Sequence, residues 1–362
     1  MTFKTLGKVF VVLLFAALAG LAVYIAIPLD NSVVNQSEKQ LAEKFTLEQK
    51  VGQLFIVGFD GTALTPQTEE ALRAIKPGGV LLLQKNIENA EQLKKLTGRL
   101  QALSKEYSGL PLFIAVDQEG GPVSRIEFLT EKTAQSAIAN SEQAYEVGLN
   151  KGKELNELGV NLNLSPLLDR VGLGDFIFER GFHDDLSKAG ETARALIKGQ
   201  KDAGILTAVK HFPGYGNIAF NPEEELAVLN SVPDISLFLS AAQAKPEMAM
   251  AANVVYRDID SELPFTFSAK GIGLLKEKLG DEVLVVSDDL AQNSLLKNFS
   301  LEKIVGLPVK AGVDMLIFSG WRSPVEPAVL MLRQMIRDNE ASQEQIDRAF
   351  ARIRAVKEKM IQ

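Results

Sequence analysis

The chain has 362 residues, 46% hydrophobic and 23% charged, with a net charge of -7. That composition suits one large folded core or two modest domains, and an acidic balance without a basic stripe excludes a general nucleic-acid binder. There is no cysteine, which excludes disulfides and thiolate metal sites, and the only histidines are His183 and His211, too few for a histidine-built zinc or iron centre.

Lys4 and Lys8 precede a charge-free apolar run from Val9 to Leu29. About 20 apolar residues cross a hydrocarbon core as a helix, so residues 1–29 are expected to form a membrane anchor. Basic flanks stay cytoplasmic, which would place the remainder outside the cytoplasmic membrane as a single-pass protein. The rival is a cleaved signal peptide and a secreted product, with Ala17-Leu18-Ala19 as the small-residue site. The apolar run continues past that site, through Tyr24 and Ile27. Residues 30–43 are polar and read as a linker, and residues 44–362 as one domain.

Thr46-Leu47-Glu48-Gln49 has the form of a capping box, so a short helix should start there and lead into a strand from Leu54 to Phe59. Helix-like and strand-like segments then alternate. Helix Pro66 to Ile75 precedes strand Gly79 to Leu83, Ala90 to Tyr107 precedes Leu112 to Val116, and Glu142 to Leu158 precedes Val160 to Leu168. Leu186 to Ala203 precedes Ile205 to Val209, and Ile235 to Ala244 precedes Met248 to Val255. Ser268 to Leu279 precedes Val283 to Val286, and Leu301 to Ala311 precedes Met315 to Phe318. Val325 to Asn339 and Ser342 to Met360 close the chain as helices. Eight parallel strands linked by crossover helices make a (β/α)8 TIM barrel. An open doubly wound sheet is the alternative, but the first turn lacks the G-x-G-x-x-G of a dinucleotide site.

In such a barrel, chemistry is done where the strands exit. Polar side chains stand there repeatedly: Asp117, Asp169, Lys210 with His211, Asn253 on the sixth strand, and Asp288 with Asp289. One such residue would be a helix cap or a satisfied core group; five strand ends converging on one mouth are a stronger signal. Two carboxylates across a cleft can hydrolyse a glycoside, and Asp288 is placed to be the attacking one. Asp117 and Asp169 can accept hydrogen bonds from sugar hydroxyls, and Lys210 and His211 can donate them.

Asp117-Gln118-Glu119-Gly120-Gly121, Lys210-His211-Phe212-Pro213-Gly214 and Ser287-Asp288-Asp289-Leu290 resemble the signatures of glycoside hydrolase family 3. The similarity runs from about Thr46 to Phe318 and is nearest to the bacterial β-N-acetylglucosaminidase (β-N-acetylhexosaminidase) branch, which acts on cell-wall sugars through a single barrel. The resemblance implies retention through a covalent intermediate on Asp288. It also implies sugar binding by Asp117, Arg125, Arg180, Lys210 and His211, with no metal or organic cofactor. The family's acid/base tail departs. Where the pattern is K-H-F-P-G-H-G followed by D-S-H, this chain has Tyr215 for the second histidine, and Asn221 and Glu223 for the dyad. The arginine after D-Q-E-G-G is Pro122, and Asn253 stands where histidine is common.

Glu223 can replace an imidazolium as proton donor if its pKa is raised, and Glu224 and Glu225 supply like charge in that direction. The plainer reading of three glutamates is a solvated acidic loop. The expected function is therefore a retaining β-glycosidase of the β-N-acetylhexosaminidase type, acting on a terminal N-acetylglucosamine-containing glycan. A catalytically impaired glycan-binding relative in the cell envelope is the alternative, and a scaffold for a protein partner is a third.

Overall fold

Thr46 opens the folded chain as the sequence implies. Its hydroxyl accepts the Gln49 backbone N–H, and the Gln49 side chain accepts the Thr46 N–H. Helix α1 (Leu47–Gln53) then leads into strand β1 (Phe55–Val57). The computed structural model describes residues 44–320 and 325–360. The expected anchor and linker lie outside the described residues. Within them, no helix is long and apolar enough to cross a membrane.

Seven strands follow: β2 (Gly79–Leu82), β3 (Phe113–Val116), β4 (Leu162–Asn163), β5 (Leu206–Phe212), β6 (Met248–Ala251), β7 (Leu284–Asp289) and β8 (Met315–Phe318). Between them run α2 (Pro66–Ile75), α3 (Ala90–Ser108), α4 (Ser141–Glu157), α5 (Leu186–Asp202), α6 (Ser236–Ala242), α7 (Ala269–Leu279) and α8 (Leu301–Ala311), and α9 (Val325–Arg337) and α10 (Gln343–Lys359) end the chain. Each strand pairs in parallel with the next, and β1 pairs with β8, so the sheet closes as a (β/α)8 barrel.

The helix boundaries follow from local chemistry. Thr65 caps α2 with Pro66 at its first position; Asn89 caps α3, which ends at left-handed Gly109; Ser300 caps α8, which ends at Gly312. On α3 the stripe Leu93, Leu96, Leu100 and Leu103 is buried against the barrel. Each such leucine contributes about 1.5–3 kcal/mol relative to exposure. At the N-terminal end of the barrel, the fully buried Lys357 of α10 donates to Gln53 Oε1 (2.7 Å) and the Gly78 carbonyl (2.8 Å). This ties the last helix to the end of α1 and to the turn that enters β2.

Four strands around the site differ from the sequence expectation. β4 ends at Asn163 rather than Leu168, because Pro166 has no N–H to give the ladder; pairing resumes only at the single bridge Leu167–Lys210. β6 ends at Ala251, which leaves Asn253 beyond the strand rather than on it. β5 and β7 run farther than expected, to Phe212 and Asp289, so Lys210, His211 and Asp288 belong to strands and not to loops.

Candidate active site

At the C-terminal mouth lies a cavity of about 250 Å³. Its floor is Leu81 of β2, Leu164 just past β4, Met250 of β6 and Ile317 of β8. Alternate strands supply one layer of four apolar side chains, as barrel geometry requires. Above it the odd strands bring polar groups: Asp117 and Glu119 after β3, Lys210 and His211 on β5, Asp288 and Asp289 on β7.

Neighbouring residues on a regular strand point to opposite faces, yet Lys210 with His211, and Asp288 with Asp289, line the same cavity. The pairing register explains this. Between β5 and β6 it slips between Val209 and Phe212, and between β7 and β8 between Val286 and Asp289. Each slip inserts one extra residue, a bulge that re-aims the side chains around it. Ser287 stabilises the second by accepting the Ile317 N–H on its hydroxyl (2.9 Å).

Glu119 is the hub of the charged wall of the cavity. Lys210 Nζ lies 2.6 Å from its Oε1 and 2.6 Å from Asp117 Oδ1. Arg180, from the turn Phe178–Arg180, donates to both of its oxygens at 2.8 and 3.1 Å. Burial opposes the charge on Glu119, but Lys210 and Arg180 override it and hold the pKa down at about 2. Burial also opposes the charge on Lys210, and Asp117 and Glu119 overcome it, so its pKa is raised. Behind the wall, Lys151 donates to the Glu119 carbonyl (2.6 Å), and Asn163 exchanges hydrogen bonds with both backbone groups of Gln118 at 3.0 Å. Gly120 turns the segment at φ +103, where a Cβ would meet the Thr133 carbonyl at 2.0 Å. The hairpin Gln118–Gly120 with Val123–Ser124 then delivers Arg125 to the cavity.

Asp169, outside the cavity lining, is hydrogen-bonded to His211 and Tyr215. Its Oδ2 accepts the His211 backbone N–H and faces His211 Nδ1, both at 3.0 Å, while Oδ1 accepts the Tyr215 N–H at 2.7 Å. The His211 and Tyr215 rings stack at 4.4 Å with planes 8° apart. The Tyr215 hydroxyl donates to Asp288 Oδ2, and the Asp289 N–H donates to Asp288 Oδ1 at 2.7 Å. Asp289 itself is held by the Ser319 N–H (3.1 Å), the Ser319 hydroxyl and the Ala291 N–H (2.9 Å).

The loop after β5 carries Glu223 to the cavity rim, where it retains solvent exposure. The Ser294 N–H donates to the Glu223 carbonyl (2.8 Å), and Asn293 Nδ2 donates to Glu224 Oε2 (2.8 Å), so the short helix Asn293–Leu296 pins the loop. Partial removal from water, then the charge of Asp288, raise the Glu223 pKa; His211 pulls it back and Asp289 adds to the rise. The expected source, Glu224 and Glu225, is not the cause: Glu224 turns away to Asn293 and Lys297.

Asp117, Arg125, Arg180, Lys210, His211, Glu223 and Asp288 thus meet around one cavity. Asp169 and Asn253 do not line it. Both Asp169 oxygens are already engaged, which corrects its expected role as a sugar acceptor. Asn253 donates to the Asp289 carbonyl (3.0 Å) and to Gln292 Oε1 (3.1 Å) from behind the site. Glu119, Gln292 and Ser319 are cavity residues that the sequence reading did not single out. Among the described residues no group of histidine and carboxylate side chains is arranged to hold a metal ion.

The Glu119 network makes a stability prediction. Its pKa is lower in the folded protein than its ordinary 4.5, so its contribution is complete above that value and is lost as pH falls toward about 2. The melting temperature should drop across that window, and less steeply in Glu119→Gln. Glu119→Ala leaves Lys210 and Arg180 facing each other and should cost about 3–5 kcal/mol in urea unfolding.

Residues 46–356 match the family model described as the glycosyl hydrolase family 3 N terminal domain. A β-hexosaminidase of Alkalilimnicola ehrlichii is 34% identical over 294 residues, covering 76% of this chain and 82% of that protein. A β-hexosaminidase of Bordetella avium is 32% identical over 282 residues, with coverage of 72% and 79%. Among solved structures, the family 3 β-N-acetylglucosaminidase of Paenibacillus sp. str. FPU-7 superposes with a TM-score of 0.83 at 30% identity. The match covers 88% of this chain and spans 63% of that longer one. The β-N-acetylhexosaminidase of Beutenbergia cavernae gives a TM-score of 0.80 at 28% identity, covering 86% and 98%. With a family model spanning almost the whole described barrel, and relatives above 30% identity, the chain belongs to glycoside hydrolase family 3.

Proposed function

We propose that the protein is a retaining β-N-acetylhexosaminidase, hydrolysing terminal β-linked N-acetylglucosamine-type sugars, with Asp288 as nucleophile and Glu223 as acid and then base. The observation that carries the reading is that Asp288 and Glu223 line one cavity with an apolar floor and a wall of fixed polar groups. Its volume, about 250 Å³, lies just below the roughly 300–1,000 Å³ of pockets for drug-sized ligands and suits one sugar ring. The relatives' names support the N-acetyl preference.

In this mechanism an Asp288 oxygen forms a bond to C1 as the C1–O bond to the leaving group breaks. The bonding pair goes to the departing oxygen, which takes the Glu223 proton. The raised pKa of Glu223 keeps that proton available. Once Asp288 is esterified its charge is gone, and with it one cause of the rise. Glu223, which has given up its proton, is thereby favoured as the carboxylate and takes a proton from water, whose oxygen attacks C1 and releases Asp288 as carboxylate.

The test is the anomer first released from an aryl β-N-acetylglucosaminide, followed by NMR. The β anomer is expected, with an aryl β-glucoside the poorer substrate. An initial α anomer overturns the retaining mechanism. Saturable binding of N-acetylglucosamine fragments without turnover turns the reading to a glycan-binding protein.

For location, the proposal rests on Lys4, Lys8 and the run from Val9 to Leu29. The barrel would be tethered to the cytoplasmic membrane on its outer side. Protease added to intact spheroplasts should then digest it, and resistance to that protease would overturn the orientation.

A further inference from the structure

We propose that Tyr215 acts through Asp288 as a positioning residue, its phenol supporting the carboxylate as it leaves the sugar in the second half of the reaction. The proposal rests on the reading of Asp288 as nucleophile. An aspartate side chain is short and rotates freely unless both oxygens are held. Here Oδ1 has the Asp289 N–H at 2.7 Å and Oδ2 has the Tyr215 hydroxyl. The phenol is itself fixed. The Tyr215 N–H is bound to Asp169 at 2.7 Å, its ring lies flat on His211, and the preceding Gly214 carbonyl accepts the Tyr256 hydroxyl at 2.6 Å.

A buried tyrosine always needs a partner for its hydroxyl, and a backbone carbonyl would serve packing equally well. This one is spent on the reacting carboxylate. Burial and the charges of Asp288 and Asp169 keep the phenol protonated, so it is a donor throughout. The direction of its effect follows from where charge moves. In the first step Asp288 loses its negative charge to the new C1–O bond, so the donor gains nothing there. In the second step the bond breaks, its electron pair returns to Asp288, and the phenol stabilises the charge as it forms.

The test uses dinitrophenyl β-N-acetylglucosaminide, whose leaving group departs with little help from an acid. In Tyr215→Phe, kcat should fall about 10- to 100-fold, the effect of one hydrogen bond to a charged group. KM should fall with it and kcat/KM should change less. A burst of dinitrophenolate, close to one per enzyme, should appear as the glycosyl intermediate accumulates. An unchanged kcat, or equal losses in kcat and kcat/KM without a burst, overturns the proposal. If the phenylalanine protein does not fold, 3-fluorotyrosine placed at 215 alters only the phenol's acidity. A change in kcat that spares kcat/KM then supports the proposal, and no change in either overturns it. Asp288→Asn in parallel separates the two readings. Absence of burst and turnover keeps Asp288 as the nucleophile, whereas normal turnover removes that assignment whatever Tyr215→Phe shows.

Discussion

Asp288→Asn is expected to lower kcat on an aryl β-N-acetylglucosaminide by about 10⁴- to 10⁶-fold, the range for removal of a covalent catalyst's working residues. Asparagine matches aspartate in shape, and its amide oxygen can still accept the Asp289 N–H, so the fold should survive and only the attacking charge is lost. The substitution should also act on its neighbour. The charge of Asp288 is the second cause, after burial, of the raised Glu223 pKa. Carbon-13 NMR of labelled glutamates should therefore show Glu223 titrating at lower pH in Asp288→Asn. An unmoved titration would mean that the two carboxyls do not sense each other.

The second large effect is at Glu223. Losing a general acid costs about 10²–10⁴-fold, and only where the leaving group needs a proton. Glu223→Gln should therefore cripple hydrolysis of alkyl glycosides and oligosaccharides while sparing the first step with dinitrophenyl substrates. The pH profile follows in sign. An acid must be protonated, so kcat/KM on poor leaving groups should fall as pH rises through the raised Glu223 pKa. That basic limb should vanish in Glu223→Gln. Equal losses on all leaving groups would place the proton donor elsewhere.

The barrel was legible because parallel strands and crossover helices leave two different periodicities, and their alternation survives errors of a residue or two at each boundary. Where a proline interrupts the ladder, as at Pro166, a continuous apolar run reads as a longer strand than forms. The site was legible at strand ends, where topology alone brings Asp117, Lys210 and Asp288 together. Bulges are not visible in sequence, so nothing foretold that consecutive residues would share a cavity. Long-range partnership is hidden for the same reason. Glu119 sits inside a quoted motif, and its role appears only when Arg180 arrives from the turn after β4 and Lys210 from β5. Tyr215 reads as a missing histidine until its hydroxyl is seen on Asp288. Asp169 reads as a sugar ligand until His211 at the end of β5 and Tyr215 in the loop after it are seen to take up its oxygens.

The most direct measurement is to trap the glycosyl-enzyme with a 5-fluoro-N-acetylglucosaminyl fluoride and locate the added mass by peptide mapping. Label on Asp288, absent from Asp288→Asn, is the predicted result. Protein that hydrolyses the aryl glycoside yet carries the label on another residue, or never becomes labelled, would contradict it.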